Sequence, residues 1–159
     1  SAGYDVVHLA THALVDPLDP GRSAMVLTGA GVEDFEGPGD GLVALREVLD
    51  TWSLDAELVT LSACETGLGR ATSTEGMLGF PYALMAVGAR AVLVSDWKVE
   101  DRATALWMGA FYRAWVVDGV SKVEAVRRAQ EGVRTWANAA GRMPYSDPAY
   151  WAGFGVVGE

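Results

Sequence analysis

The single cysteine of this 159-residue chain, Cys64, stands in Leu61-Ser62-Ala63-Cys64-Glu65-Thr66-Gly67, at the end of an apolar run. One of its two histidines, His12, ends a second such run, Val6-Val7-His8-Leu9-Ala10-Thr11-His12-Ala13. Two buried strands would carry a thiol and an imidazole to loops at one edge of a sheet, as a nucleophile and its base require. The thiolate is the attacking species, and a neighbouring imidazole either lowers the thiol pKa or removes its proton. The pair points to acyl transfer through sulfur, and first of all to the active half of a cysteine peptidase.

Each residue has a plainer reading. A free cysteine is by default inert core. Cys64, however, is expected past its strand rather than within it, because Glu65, Thr66 and Gly67 follow. There the sulfur would face solvent and the N–H of residue 64 would point toward a bound carbonyl. His8 and His12 share parity on one strand, but His8 has apolar neighbours on both sides and reads as a satisfied core histidine. His12, beside Thr11 and the small Ala13, can swing above the sheet while the Ala13 amide approaches a tetrahedral oxyanion. No second cysteine accompanies the histidines, so a structural zinc site is not expected.

The elements that must position these residues follow from pattern. Residues 4–10 read as a buried strand, residues 23–28 as a short second one, and residues 16–21 between them as a turn rich in Asp and Pro. A long Gly, Pro and acidic loop spans 29–40; a brief strand at 41–44 and a helix over 45–49 follow, and 57–62 is the strand that leads into Cys64. After a polar loop, Thr74 caps a helix running to about residue 87, with Glu75 in its first turn and Pro81 placed to kink it. Gly88 closes that helix, and 89–95 is another strand.

Asp101 is read as the cap of a helix over 102–117, whose stripe is Ala103, Leu106, Trp107, Ala110, Phe111 and Ala114. Ser121, with Glu124 at the capping-box position, opens a last helix with the stripe Val126, Ala129, Val133 and Trp136 or Ala137. A linker over 141–148 precedes a final strand at 151–157. Strands alternating with helices imply an α/β fold with a mostly parallel sheet covered on both faces, and such sheets take ligands beyond the carboxyl ends of their strands.

Bulk composition narrows the field. Twelve basic against 21 acidic side chains give a net charge of −9, which leaves no basic stripe to neutralise phosphates and argues against nucleic acid as a partner. It leaves room for a cationic substrate, or for a bacterial-style acidic surface kept soluble by its charge. One cysteine makes no internal disulfide, so a reducing, cytoplasmic setting is expected. No run approaches 18 apolar residues, so no membrane span is expected, and residues 1–4 lack the features of a secretory signal. The chain enters its first strand almost at once, as a small α/β domain or the C-terminal part of something longer would.

The spacing of about 50 residues between His12 and Cys64, with Ala63 before the cysteine, matches a caspase signature only in part. The pattern as a whole resembles the CHAT peptidases, caspase-like domains related to separase and often attached to tetratricopeptide repeats in bacteria. The similar stretches are His8-Leu9-Ala10-Thr11-His12-Ala13, Asp40-Gly41-Leu42, Leu61-Ser62-Ala63-Cys64-Glu65-Thr66-Gly67, Glu75-Gly76 and Gly88-Ala89-Arg90. They continue with Ser95-Asp96-Trp97, Phe111-Tyr112 and Trp151-Ala152-Gly153-Phe154. The resemblance implies a caspase-hemoglobinase-like three-layer α/β/α sandwich and a Cys-His dyad. Cys64 would be the nucleophile, His12 the catalytic imidazole, and the amides of Ala13 and Cys64 the oxyanion hole; where relatives often carry Gly after the histidine, this chain has Ala13. Family members have two more strands with helices before the histidine strand. Residues 1–159 therefore resemble a single CHAT-like catalytic domain or its C-terminal portion, with the rest supplied by a partner chain or absent.

The same resemblance places Ser95-Asp96-Trp97 in the region that lines the substrate pockets of caspase-like relatives. Asp96 would select an Arg or Lys side chain by charge pairing, and Trp97 would wall the neighbouring position. Asp96 also reads as a loop cap ahead of Glu100-Asp101. Glu65 is either a substrate contact or a loop-holding residue, and facing the sulfur it would oppose thiolate formation. Gly67, Gly69 and Glu75-Gly76 lack the lysine of a phosphate loop. Trp107, Trp115, Trp136 and Trp151 read as structural, and Arg127 with Arg128 as a solvated helix face. The expected partners are a protein or peptide substrate and a sensor or repeat domain. No cofactor is needed for the chemistry. A non-catalytic caspase-like scaffold and a hydrolase of small thioesters or amides are the competing readings.

Overall fold

The computed structural model describes residues 5–14, 16, 18–27, 41–65 and 74–159, with residues 20, 63–65 and 74–78 described by their backbone alone. The chain divides into two compact units, Ser1–Val94 with Gly158, and Ser95–Val157 with Glu159. The expected loop over 29–40, the turn residues Val15 and Pro17, and the Gly67/Gly69 pair lie outside the described residues, as does the side chain of Glu75.

The first unit is built on strands β1 (Val6–Leu14), β2 (Ala24–Val26), β3 (Leu42–Ala44), β4 (Leu58–Glu65) and β5 (Ala91–Ser95, of which the unit holds residues 91–94), ordered β3-β2-β1-β4-β5. The expected mostly parallel sheet is instead mixed. β1 pairs β4 and β4 pairs β5 in parallel, while β1–β2 and β2–β3 are antiparallel. The reason is the short β1–β2 link, residues 15–23, which carries a 3-10 turn at Pro20–Arg22 and is too short for a crossover. The Asp16 carboxylate organises that link by accepting the amides of Leu18 (2.9 Å) and Asp19 (3.0 Å), bonds that also lower its pKa.

Helices α1 (Leu45–Thr51) and α2 (Thr74–Ala86) pack on one another in this unit. Met25, Val43, Leu45, Val48, Val59, Leu61, Phe80, Leu84 and Val92 form its core, each worth about 1.5–3 kcal/mol for full burial of a side chain of this size. A Cβ on Gly79 would sit 2.7 Å from Leu45, so this glycine lets the two helices meet. Pro81 is accommodated inside α2.

The second unit carries helix α3 (Asp101–Tyr112), a π-helical turn at Arg113–Val117, helix α4 (Lys122–Arg134), a 3-10 turn at Pro148–Tyr150 and strand β6 (Phe154–Gly158), whose last residue falls in the first unit. The single long helix expected over 102–117 thus changes pitch at Arg113. Its cap is Glu100 rather than Asp101: Glu100 is extended and its carboxylate accepts the Ala103 amide at 2.8 Å, which makes Asp101 the first helical residue. Ser121 caps α4 as expected, accepting the Glu124 amide at 3.2 Å. Ala103, Trp107, Phe111 and Ala114 are buried, as are Ala125, Ala129 and Val133; Val126 is only half-buried because the stripe passes through Ala125. Trp107 stacks on Phe111 (5.4 Å between ring centres) and lies against Phe154 (4.5 Å).

Candidate active site

His12 and Cys64 are register partners. In the parallel ladder between β1 and β4, His12 pairs with Cys64 and Ala13 with Glu65, the last of an unbroken run that starts at Val6 and Leu58. Both residues lie inside their strands rather than beyond them, which corrects the expected positions at the loops. The pairing itself keeps the chain extended: β2 holds β1 out to Leu14, and β1 holds β4 out to Glu65. Adjacent strands run about 4.8 Å apart, and partners in a parallel ladder share a face of the sheet. The backbones of residues 12 and 64 are therefore neighbours in the ladder.

β1 alternates strictly. Val7 and Leu9 pack against the core and Ala13 is buried, while Val6, His8, Ala10 and His12 are exposed. His12 is thus presented outward, next to the buried Ala13. The Thr11 hydroxyl donates to the Val26 carbonyl, which clamps β1 to β2 at the register of His12, itself paired with Val26. On the other side of β4, the ladder to β5 ends at Leu61 and Val94, so among the described residues the pairing with β1 runs further along β4 than the pairing with β5. Each strand residue carries a donor and an acceptor that must find partners, and a ladder that stops leaves them open to a ligand.

His8 is not the core histidine expected. It lies two positions down the exposed face from Ala10, paired with the buried Thr60, and the protein around its ring lowers its pKa. Glu65 is placed only by its register opposite Ala13; its side chain, like that of Cys64, lies outside the described residues.

Asp96 and Trp97 belong to the second unit, directly after β5. Asp96 is exposed and its amide donates to the Gly153 carbonyl at 2.7 Å. Trp97 is 43% exposed, and its indole N–H donates to the Ala149 carbonyl at 2.9 Å. The Ser95 hydroxyl donates to the Trp97 carbonyl at 2.7 Å. The part that Gly153 and Ala149 play here was not foreseen; the small residues between aromatics in Trp151-Ala152-Gly153-Phe154 were the signal available. Trp115 lies under the Lys122 ammonium (5.6 Å) and Trp136 under the Arg102 guanidinium (5.2 Å), while Arg127 and Arg128 pair with Glu124 on an exposed face. Among the described residues, no helix is long and apolar enough to cross a membrane.

An α/β fold on a mixed sheet is consistent with a caspase-like layout. The family model for the CHAT domain matches residues 1–159, and the chain belongs to the CHAT domain family. It is similar to tetratricopeptide repeat protein 28 of Mus musculus, 30% identical over 118 residues that make up 74% of this chain and 4% of that protein. The protein of the same name from Homo sapiens is 28% identical over 131 residues, 82% of this chain and 5% of that protein. The chain therefore spans about a twentieth of these relatives.

Proposed function

We propose that the chain is a cysteine endopeptidase acting through a Cys64–His12 dyad on a protein substrate, cut after Arg or Lys. The observation that carries this reading is the register pairing of His12 with Cys64. The Cys64 thiolate attacks the scissile carbonyl carbon. The tetrahedral oxyanion is held by the amides of Ala13 and Cys64, and collapse breaks the C–N bond as protonated His12 gives its proton to the departing amine. His12 then takes a proton from water, whose oxygen attacks the thioester; the acid product leaves and the thiol is restored. Asp96 pairs with the basic side chain, Trp97 walls the neighbouring position and Glu65 contacts the substrate. The fold behind this reading is the three-layer caspase-hemoglobinase-like sandwich, with residues 1–159 as one catalytic domain or its C-terminal portion. A reducing compartment such as the cytoplasm suits a free nucleophilic thiol.

The second reading is a non-catalytic caspase-like scaffold serving a repeat or sensor domain. It is favoured by relatives that are named for tetratricopeptide repeats and of which the matched stretches make up only 4% and 5%. The rate of Cys64 alkylation against pH, followed by intact mass, separates the two. A dyad gives rapid reaction near neutral pH, slowed roughly tenfold or more in His12→Ala. An ordinary thiol profile, with its midpoint at about pH 8.5 in both proteins, would instead assign the scaffold role.

A further inference from the structure

At the corner where α3 runs on toward α4, the second unit turns apolar side chains to solvent. Val116 and Val117, in the π-helical turn Arg113–Val117, are 63% and 74% exposed, and Val123, in the first turn of α4, is 74% exposed. The turn closes with a bond of π spacing, from the Asp118 amide to the Arg113 carbonyl at 3.0 Å, and the Val120 amide donates to the Ala114 carbonyl at 3.2 Å. Gly119, at φ +70°, lets the chain reverse between turn and helix. The Lys122 ammonium lies over the Trp115 ring and Arg128 pairs with Asp118 at 3.4 Å, so the start of α4 lies beside the turn. Single exposed valines are ordinary, but two in succession with a third close by form a patch, and π-turns recur where a helix serves a function.

Charge indicates what covers this patch. Two copies of a chain with net charge −9 repel, yet residues 95–159 hold eight acidic and eight basic side chains, so the patch sits where that repulsion is least. Its rim carries both signs. Arg113, at one end of the turn, is exposed and has no ion pair among the described residues. Asp118, at the other end, is exposed beyond its contact with Arg128. A two-fold interface needs a surface that is complementary to itself, on which one residue meets a second and the second meets the first. A partner of one charge sign would leave one end of the turn unmatched.

We propose that the π-turn and the start of α4 form a self-association surface on which a second copy of this chain docks about a two-fold axis. Val116, Val117 and Val123 stand at its centre, and Arg113 of each copy pairs with Asp118 of the other. The proposal does not rest on the peptidase reading. These five residues fall well short of the roughly 20–30 a side of a standard interface, so the dimer is weak.

The test is sedimentation velocity of the chain from about 10 µM to 1 mM, under reducing conditions so that no Cys64 disulfide joins two copies. Wild type is expected to pass from monomer to dimer across this range. Val117→Lys should weaken the dimer roughly tenfold or more, while Leu18→Lys, at a fully exposed apolar position of the first unit, should leave it unchanged. Arg113→Glu and Asp118→Lys should each weaken it, because each sets like charges against one another at both contacts. An equimolar mixture of those two variants should regain wild-type association, since every pair across the axis is then opposite in sign; recovery also shows that both variants are folded. A wild type that stays monomeric at the highest concentration overturns the proposal. So does a dimer indifferent to Val117→Lys, which places the contact elsewhere, and so does a mixture that associates no better than its components.

Discussion

His12 and Cys64 are set beside each other by an unbroken run of strand pairs, whereas Trp97 is set by its indole hydrogen bond to Ala149, the Ser95 hydroxyl on its carbonyl, the neighbouring Asp96–Gly153 backbone bond and the missing side chain of Gly153. Charge divides the chain along the same line. Residues 1–94 hold 13 acidic and four basic side chains, while residues 95–159 hold eight of each. The entire net charge of −9 thus belongs to the segment with the thiol and the imidazole. A ladder fixes its members through backbone groups that every residue carries, so its geometry tolerates changes of side chain. A seat made of particular side chains, and of one absence, does not. The two arrangements should therefore fail in different ways.

The largest effect is expected where the backbone of the first unit closes on itself. Gly88, between α2 and β5, has φ +115°, and a Cβ there would lie 1.9 Å from the Leu54 carbonyl oxygen. Gly88→Ala combines left-handed strain with a backbone clash, about 3 kcal/mol or more together, and should lower Tm by roughly 10 °C. Gly119 in the second unit also has a positive φ (+70°) but nothing within 4 Å, so Gly119→Ala should cost only about 1 kcal/mol. Equal losses in thermal unfolding would show that packing against Leu54 does not matter and would erase this contrast between the units.

A smaller effect is expected from the two tryptophans of the second unit. Trp97 is half-exposed with its N–H satisfied; Trp107 is fully buried with an N–H that has no partner among the described residues. An unpaired buried donor costs about 1–3 kcal/mol, comparable to the packing lost when an indole becomes a phenyl ring. Trp107→Phe should therefore leave stability within about 1 kcal/mol of wild type. A much larger fall in Tm would mean that stacking on Phe111 and Phe154 outweighs the orphan donor.

The ladder half of the site was largely legible in the sequence because periodicity and β-branched content mark strands, and the two apolar runs carrying His12 and Cys64 are the clearest in the chain. Their ends were misjudged. Thr11, His12 and Cys64 look like loop chemistry locally, and only pairing with β2 and β4 keeps them extended. The mixed character of the sheet was missed because the β1–β2 turn was recognised but not its consequence, a strand returning antiparallel. Ser121 was read correctly as a cap because its partner lies three residues away; Glu100 lost to Asp101 because propensity favours the shorter acid. The seat of Trp97 joins residues more than fifty positions apart, and no local pattern encodes that.

The smallest effect concerns the balanced charges of the second unit. The Glu124 carboxylate accepts from both Arg127 (2.8 and 2.9 Å) and Arg128 (3.0 Å), and these bonds lower its pKa to about 2. A folded-state pKa below the unfolded value of about 4.5 means that the carboxylate stabilises the fold fully above pH 4.5 and loses that contribution as the pH falls through about 2. Wild type should accordingly unfold at a slightly higher temperature than Glu124→Gln at pH 6, with the gap closing between pH 4.5 and 2. Because the cluster is exposed, added salt should shrink the gap as well. In the first unit acid acts in both directions: protonating surplus carboxylates relieves repulsion, while protonating Asp16 gives up the Asp19 and Leu18 amide bonds that lower its pKa. Calorimetry across this range sharpens the comparison: a gap that persists unchanged at pH 2 would mean that Glu124 acts through the shape of the α4 N-terminus, not through its charge.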